Sequence, residues 1–232
     1  RADMPLAIVL VQHLDPNHDS LLGELLAKRC PAPVVTIEDA TPIEAGKVFL
    51  IPPDASLTIE GDLLRLDPFE APRGQRRPID VFLESLAAAR GPGAACVVLS
   101  GTGSDGATGA KAIKQAGGLV LAQTPGLAKY DGMPEAAIAT GSVDLVLPPA
   151  DMIDVLGEHF RRSAAIDSRI ETDAEFLRRV VKHVRYRTGH DFSNYKTGTL
   201  KRRLARRMSV LGIREPTEYL QRLIADAGEG TQ

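Results

Sequence analysis

The chain has 232 residues, of which 44% are apolar and 25% are charged, an ordinary composition for a globular protein. Its longest wholly apolar stretch, Leu6 to Val11, is far too short to cross a bilayer, and no leader pattern is present. Two cysteines exclude a disulfide framework, and no Cys/His spacing is typical of zinc. We therefore expect a cytoplasmic protein, and the opening Arg1 indicates a piece of a longer chain.

The net charge of −2 hides two parts of opposite sign. Residues 1–164 contain 14 Lys and Arg against 21 Asp and Glu, whereas residues 165–232 contain 14 against 9. A shift of this size predicts a domain boundary. We place a first domain at residues 1–162, a linker of low apolar content at 163–172 and a second domain at 173–232.

Short β-rich runs alternate with helical patterns through the first domain. Residues 7–11 are apolar throughout, which is typical of a strand covered on both faces. The alternation predicts an α/β fold, with a doubly wound and mainly parallel sheet. The predicted strands are Leu6–Gln12, Val34–Ile37, Val48–Ile51, Ala95–Leu99, Leu119–Ala122 and Leu145–Leu147, with a hairpin at Leu57–Leu66. The predicted helices are Ser20–Arg29, Ile79–Ala89, Gly106–Ala116, Met133–Ala139 and Ala150–Arg162.

The second domain has no strand signals, so we predict a small all-α domain. Gly189 and Gly212 follow its first two helical stretches, where helices commonly end. The predicted helices are Asp173–Thr188, Ser193–Leu211 and Pro216–Ala225.

Two features lie at the carboxyl ends of predicted strands, the edge at which open α/β sheets place their ligands. Gln12-His13 ends the first strand, and a glycine-rich turn at residues 100–106 follows the strand Ala95–Leu99. The glycines of the turn permit tight backbone conformations. Amides at the start of the following helix can stabilise a bound anion or a developing oxyanion.

Asp105, in this turn, fits two roles. As an N-cap it would satisfy the first amides of the helix Gly106–Ala116, and the spacing alone favours this role. As a catalytic carboxylate it would orient an imidazole and stabilise its cation. His13 is likewise either an ordinary hydrogen-bonded side chain or a general base. A nucleophile is needed to complete the arrangement, and no serine or cysteine of the chain is convincingly placed for it.

Five motifs occur in order over roughly residues 5–160. They are Val11-Gln12-His13-Leu14, Val48-Phe49-Leu50-Ile51-Pro52-Pro53, Arg77-Pro78-Ile79-Asp80-Val81, Leu99-Ser100-Gly101-Thr102-Gly103-Ser104-Asp105-Gly106-Ala107 and Gly132-Met133-Pro134. Together they resemble the catalytic domain of the chemotaxis protein-glutamate methylesterase (CheB-type) family. The resemblance implies a hydrolase that cleaves glutamate methyl esters on chemoreceptors with a Ser-His-Asp triad.

In this resemblance His13 matches the triad histidine and Asp105 the triad aspartate. Residues Gly101, Thr102 and Gly103 fall where the family stabilises the oxyanion, and Met133 lies in the loop that flanks the site. The family's serine lies in a turn upstream of the Gln-His strand, before Arg1. We therefore expect the chain as given to lack esterase activity and the first strand of its sheet. An amino-terminal receiver domain, usual in the family, is expected further upstream.

The tail contains a basic helix with six Lys and Arg between Lys196 and Arg207 and no acidic residue between Phe192 and Arg214. An arginine-dense face is either solvated or invites an anionic partner. Its arginines are Arg202, Arg203, Arg206 and Arg207. A short helical domain with a basic helix can also mimic a DNA-binding module, although base-reading Asn and Gln residues and interleaved aromatic residues are absent from this helix.

Residues 176–223 resemble the amino-terminal helical domain of chemoreceptor methyltransferases (CheR-type). The matching residues are Thr188-Gly189, Tyr195-Lys196, Leu200, Arg203-Leu204, Arg206-Arg207, Leu211-Gly212 and Tyr219-Leu220. The resemblance implies that the four arginines face the acidic methylation region of the receptor, so that complementary charge orients the encounter. It places the S-adenosylmethionine site mainly in a following domain, so we expect no cofactor within these 232 residues.

The two resemblances meet near residue 165 and imply a piece of a fused methylesterase–methyltransferase. We expect the cytoplasmic helices of methylated chemoreceptors as partners, with no nucleic acid and no direct membrane insertion. Two alternatives stay open. One is a non-enzymatic receptor-docking or scaffold module, and the other is a nucleotide-binding α/β domain with a DNA-binding tail, which would bind DNA in a salt-sensitive way.

Overall fold

The structure of the chain is a computed structural model. It describes residues 6–12, 21–69, 72, 76–172, 174–189, 197–213 and 215–225. These residues divide into two compact units, 1–157 and 158–232, and each unit has a hydrophobic core of its own.

The first unit alternates strands and helices, as the sequence predicts. Its strands are β1 (Ile8–Leu10), β2 (Val34–Thr36), β3 (Thr41–Pro42), β4 (Val48–Leu50), β5 (Ala55–Glu60), β6 (Leu63–Pro68), β7 (Ala95–Val98), β8 (Leu119–Gln123) and β9 (Leu145–Leu147). Its helices are α1 (Leu22–Arg29), α2 (Pro78–Arg90), α3 (Ala107–Gln115), α4 (Gly132–Ala139) and α5 (Pro149–Thr172), the last of which continues into the second unit.

Two three-stranded parallel sheets form the α/β part, in the orders β1-β4-β2 and β7-β8-β9. The central strands β4 and β8 are buried along their whole length, which explains their uninterrupted apolar sequences. Strands β5 and β6 form the predicted hairpin about Gly61 and pair antiparallel, with β3 added to β6. The predicted α/β class with a mainly parallel sheet is confirmed.

Helix α2 packs against the hydrophobic core of the first unit. Its buried Phe82 and Leu83 belong to the same apolar cluster as Phe49 of β4 and Val98 of β7. Helix α3 packs closely on α2 at Gly109, where a Cβ atom would lie 2.5 Å from the Cβ of Leu83. The absence of a side chain at residue 109 therefore brings the amino-terminal ends of α2 and α3 together.

The segment 163–172, which we predicted as a linker, is part of helix α5. The predicted end of that helix at Arg162 is therefore wrong. The segment contains no Gly or Pro and includes Ala164 and Ala165, so nothing in it interrupts a helix, despite its low apolar content. The two compact units divide at Gly157, inside α5.

The second unit contains α6 (Ala174–Thr188), α7 (Thr197–Val210) and α8 (Pro216–Ala225). Its buried residues include Phe176, Met208 and Tyr219, and the rings of Phe176 and Tyr219 meet edge to face at 6.5 Å. Gly189 and Gly212 have positive φ angles of 72° and 70°, which confirms them as helix ends. The predicted start of the second helix at Ser193 lies outside the described residues. Among the residues that are described, no helix is long and apolar enough to span a membrane.

Candidate functional site

The glycine-rich turn connects the carboxyl end of β7 to the start of α3. Gly103 and Gly106 have φ angles of +82° and +95°, in the left-handed region that favours glycine. Gly106 is the residue from which α3 begins, so the turn delivers Asp105 immediately before the helix. The predicted turn between these two elements is present where the sequence indicates it.

Asp105 is buried, and its carboxylate accepts hydrogen bonds from three backbone amides. Its Oδ2 accepts from the Ile79 amide at 3.1 Å, and its Oδ1 accepts from the amides of Asp80 and Gly106, both at 2.9 Å. Ile79 and Asp80 are the second and third residues of α2, whose amides have no partner within the helix. Asp105 therefore caps mainly α2, and the expectation that it caps its own helix is wrong.

Helix α3 is capped instead by Asp80, which is also buried. The Oδ1 of Asp80 accepts from the Gly106 amide at 2.9 Å and from the Gly109 amide at 2.7 Å. Its Oδ2 lies 2.6 Å from Nη2 of Arg77, which also donates to the Thr108 hydroxyl at 3.2 Å. Asp80 of α2 thus caps α3, and Asp105, which immediately precedes α3, caps α2.

The start of the turn is fastened to the loop that precedes α4. The Gly101 amide donates to the Tyr130 carbonyl at 3.0 Å, and the Gly101 carbonyl accepts from the Met133 amide at 2.9 Å. The Tyr130 amide donates to Oγ of Ser100 at 3.0 Å. The Ser100 hydroxyl therefore joins the turn to the loop before α4.

The side chain of Gln123, the last residue of β8, joins the start of the glycine-rich turn to the segment that follows β8. Its side chain is 6% exposed, its Oε1 accepts from the Ser100 amide at 2.9 Å, and its Nε2 donates to the Leu127 carbonyl at 3.0 Å. Gln123 is not among the site residues predicted from the sequence. A polar residue at the end of an otherwise apolar strand was the available signal, because a buried amide side chain must find partners.

Met133 lies directly against the turn. A Cβ atom on Gly101 would be 2.2 Å from the Met133 Sδ, and one on Gly106 would be 4.0 Å from the Met133 Cε. A Cβ atom on Gly132 would likewise lie 3.2 Å from the Gly103 amide nitrogen. The structure therefore brings Met133 and the glycine-rich turn together, with glycines permitting the close approach.

The amides of the turn differ in their availability to a ligand. Gly101 uses its amide in the bond to Tyr130. Thr102 and Gly103 are exposed, and no hydrogen bond within the described part of the chain engages either of their amides. An oxyanion at this turn would therefore be held by the amides of Thr102 and Gly103 rather than by that of Gly101.

His13 lies outside the described residues, so its approach to Asp105 stays a prediction. The described chain reaches Gln12, two residues beyond the end of β1. In the second unit, Arg203 is exposed and Arg207 is partly buried on α7, whereas the side chains of Arg202 and Arg206 are outside what the structure describes.

Within the part of the chain that the structure describes, neither a set of metal ligands nor a reactive thiol lies near the turn. Among the described residues no group of three or more His, Cys, Asp or Glu side chains could hold a metal ion. Cys96, in β7, is 5% exposed, as predicted for a buried small apolar residue. Burial, with a smaller contribution from the Asp144 charge, raises the pKa of its thiol from 9.0 to about 12.

Two family models match the chain. Residues 1–156 match the CheB methylesterase model, and residues 175–232 match the all-alpha domain of the CheR methyltransferase model. Among solved structures, the chain is similar to the CheB methylesterase catalytic domain of Thermotoga maritima. The TM-score is 0.58 and the identity 28%, over 66% of this chain and 82% of that one.

Two relatives illustrate the sequence similarity. An uncharacterized 104.1 kDa protein of Rhodobacter capsulatus is 38% identical over 90% of this chain and 24% of its own length. A protein-glutamate methylesterase/protein-glutamine glutaminase of Anaeromyxobacter dehalogenans is 37% identical over 69% of this chain and 48% of its own length. The chain therefore spans half or less of the length of these relatives.

Proposed function

Because the chain belongs to the CheB methylesterase family and continues into the CheR all-alpha domain, we propose that its parent protein hydrolyses glutamate methyl esters on chemoreceptors. The reaction would be an acyl transfer through a Ser-His-Asp triad. In this proposal Asp105 is the aspartate, His13 is the histidine, and the serine comes from a segment before Arg1 in the longer protein.

The observation that carries this proposal is the placement of Asp105. Its buried carboxylate is fixed by three backbone amides at the carboxyl edge of β7. It lies next to the amides of Thr102 and Gly103, which no hydrogen bond within the described residues engages. A carboxylate has about four lone-pair sites, so capping α2 and accepting an imidazole N–H are compatible roles. The two roles that the sequence left as alternatives can therefore belong to the same side chain.

The proposed reaction uses each of these groups at a stated step. His13 takes the serine proton as the serine oxygen attacks the ester carbonyl, and Asp105 holds the imidazole and stabilises its cation. The amides of Thr102 and Gly103 stabilise the oxyanion of the tetrahedral intermediate. The proton then passes from His13 to the departing methoxide, and methanol leaves. Water repeats the attack on the acyl-enzyme and releases the glutamate carboxylate and the serine.

The Anaeromyxobacter relative suggests a second leaving group, because that protein is also named a protein-glutamine glutaminase. The same acyl transfer on a glutamine side chain would release ammonia in place of methanol. No additional residue is required, since the proton from His13 would protonate the departing amine instead. We propose both reactions for the one site.

Recognition of the receptor is assigned to the basic helix of the second unit. Helix α7 includes Arg202, Arg203, Arg206 and Arg207, and we propose that the positive charge of this helix attracts the acidic methylation region of chemoreceptor helices. Contacts of this kind raise the association rate at low salt. We place no cofactor site in residues 1–232, and S-adenosylmethionine would belong to a following domain of the parent protein.

Methanol release from methylated receptor tests the proposal. The 232-residue chain is compared with a form extended upstream through the expected strand and serine turn. We expect methanol from the extended form only, and none from its His13→Ala variant. An extended, folded form that contains the serine and yet releases neither methanol from methylated receptors nor ammonia from their glutamines would contradict the proposed chemistry and favour the docking interpretation.

A further inference from the structure

We propose that Asp80 is a positioning residue for the reaction, which it serves by holding Asp105 in its productive orientation. This inference rests on the proposed function for its catalytic consequence. The structural part of it, a coupling between the two carboxylates, rests on the hydrogen bonds alone. Arg77-Pro78-Ile79-Asp80 belongs to one of the five motifs that carry the family resemblance, but the proposed triad mechanism assigns it no role.

The two carboxylates share a donor. The Gly106 amide lies 2.9 Å from Oδ1 of Asp80 and 2.9 Å from Oδ1 of Asp105. The Asp80 amide in turn donates to the Asp105 Oδ1 at 2.9 Å. Asp80 is therefore linked to the Asp105 Oδ1 in two ways, directly through its own backbone amide and indirectly through the Gly106 amide that both carboxylates accept from. A displacement of either carboxylate changes the bond that the other makes.

Asp80 is held through its Oδ1 by two amide hydrogen bonds and through its Oδ2 by the ion pair with Arg77, with no hydrogen bond to Oδ2 from the described residues. Its side chain is 5% exposed, while that of Arg77, its ion-pair partner, is 52% exposed. A buried carboxylate is costly unless it is paired and hydrogen-bonded, and Asp80 has two amides and a guanidinium for this purpose. The close packing of Gly109 on α2, where a Cβ would lie 3.2 Å from the Asp80 Cα, leaves little room for the carboxylate to move.

Position and charge can be separated at residue 80. Asp80→Asn keeps an oxygen acceptor at the same distance from the Gly106 and Gly109 amides but removes the charge, and the half-exposed Arg77 can turn away from the new NH₂ group. Asp80→Glu keeps the charge but adds a methylene, so its oxygens cannot occupy the same places. A positioning role predicts that Glu is the more harmful substitution, whereas a purely electrostatic role predicts that Asn is.

The coupling is read from the exchange rate of the Ile79 amide hydrogen in the 232-residue chain. This amide donates to Oδ2 of Asp105. It lies in the first turn of α2 and has no helical partner, so its protection reports where the Asp105 carboxylate is. We expect Asp80→Glu to accelerate Ile79 exchange at least about tenfold relative to the amides of β8, and Asp80→Asn to change it less than about threefold. Ile79 exchange that stays unchanged while Gly109 exchange rises would overturn the coupling.

The catalytic consequence is measured as kcat and KM in the extended form. Because a misplacement of about 1 Å can cost about a hundredfold, we expect Asp80→Glu to lower kcat by roughly tenfold to a hundredfold with little change in KM. Asp80→Asn should stay within about threefold. Asp144→Ala is the matched control. Its carboxylate accepts from the Val120 amide near the start of β8, on the opposite edge of the sheet, so it should lower stability but leave kcat unchanged.

The outcomes distinguish a failure of the proposed function from a failure of the positioning role of Asp80. If the unsubstituted extended form releases no methanol, the proposed function fails, and the coupling is decided by Ile79 exchange alone. If that form is active and Asp105→Ala is not, but Asp80→Glu retains full kcat, the triad assignment survives and the positioning role of Asp80 is wrong. A greater loss with Asp80→Asn than with Asp80→Glu would also overturn it, because it would assign the effect to charge.

Discussion

Asp105→Ala removes the acceptor of the Ile79 and Asp80 amides and leaves the Gly106 amide with Asp80 Oδ1, so we expect a large loss of stability in addition to any loss of activity. An N-cap carboxylate contributes about 1–2 kcal/mol, and a buried amide left without an acceptor costs about 1–3 kcal/mol. Since these contributions overlap at the two amides that lose their acceptor, those of Ile79 and Asp80, we expect a loss of about 3 kcal/mol. With a urea m-value of about 2 kcal/mol/M, the unfolding midpoint of the first unit would fall by about 1.5 M.

Cys96 provides an assay specific to the first unit. Its buried thiol, with the pKa raised to about 12, does not react in the native state and becomes reactive on unfolding. In a Cys30→Ser background, a short pulse of iodoacetamide at each urea concentration labels only molecules whose first unit is open. Asp105→Asn, which keeps one oxygen acceptor, serves as the control and should lose only about 1 kcal/mol. An Asp105→Ala midpoint equal to that of the parent protein would refute the capping role.

Three further predictions concern residues around the turn. Gln123→Leu should destabilise the first unit by about 1–3 kcal/mol in urea unfolding, because the Ser100 amide loses its acceptor. Gly101→Ala should lower methanol release by the extended form, since the new Cβ would lie 2.2 Å from the Met133 Sδ, and Met133→Ala should partly restore it. Because its thiol ionises more readily in the unfolded chain, Cys96 should make the free energy of unfolding of the first unit fall above pH 9. Its unfolded thiol ionises near 9.0 and its folded thiol near 12, so the stabilisation present below pH 9 is lost as the pH rises towards 12. Urea titrations should show about 1.4 kcal/mol of this loss between pH 8 and pH 10, and Cys96→Ala should lack it.

Each of these predictions has a matched comparison. Gln123→Glu keeps the acceptor for the Ser100 amide and should cost less than Gln123→Leu; equal costs would argue against that bond. Gly126→Ala, where a Cβ meets nothing within 4 Å, should leave methanol release unchanged. A double Gly101→Ala, Met133→Ala variant no more active than Gly101→Ala alone would show that the clash is not the cause. Parallel stability curves for Cys96→Ala and the parent protein between pH 8 and pH 10 would contradict the raised thiol pKa.

The order of strands and helices in this protein could be predicted well because the residues that mark each element are neighbours in the sequence. Uninterrupted apolar runs mark β4 and β8, and Gly189 and Gly212 mark helix ends through their positive φ angles. The predicted helix end at Arg162 was wrong for a related reason. Low apolar content describes how much of a segment can be buried, whereas continuation of a helix depends on the absence of breaking residues.

The site was less predictable, because its bonds join residues distant in sequence. Asp105 and Asp80 are 25 residues apart, and neither spacing nor composition indicates that each caps the other's helix. The N-cap rule was sound for Asp105, but it was applied to the adjacent helix rather than to the one that packs beside it. Gln123 was missed in the same way, since its partner Ser100 lies 23 residues earlier, across a parallel strand pair. Contacts of this kind can be predicted only when the order of the strands in the sheet is known.

A double-mutant cycle on His13 and Asp105, measured as kcat/KM for methanol release in the extended form, tests the central claim most directly. Residues that act as one catalytic unit have non-additive effects. We therefore predict that the His13→Ala, Asp105→Ala double variant is about as slow as the His13→Ala variant alone. If the two losses in transition-state stabilisation add in full, or if His13→Ala retains the parent rate, then Asp105 does not act through His13 and the triad assignment is wrong.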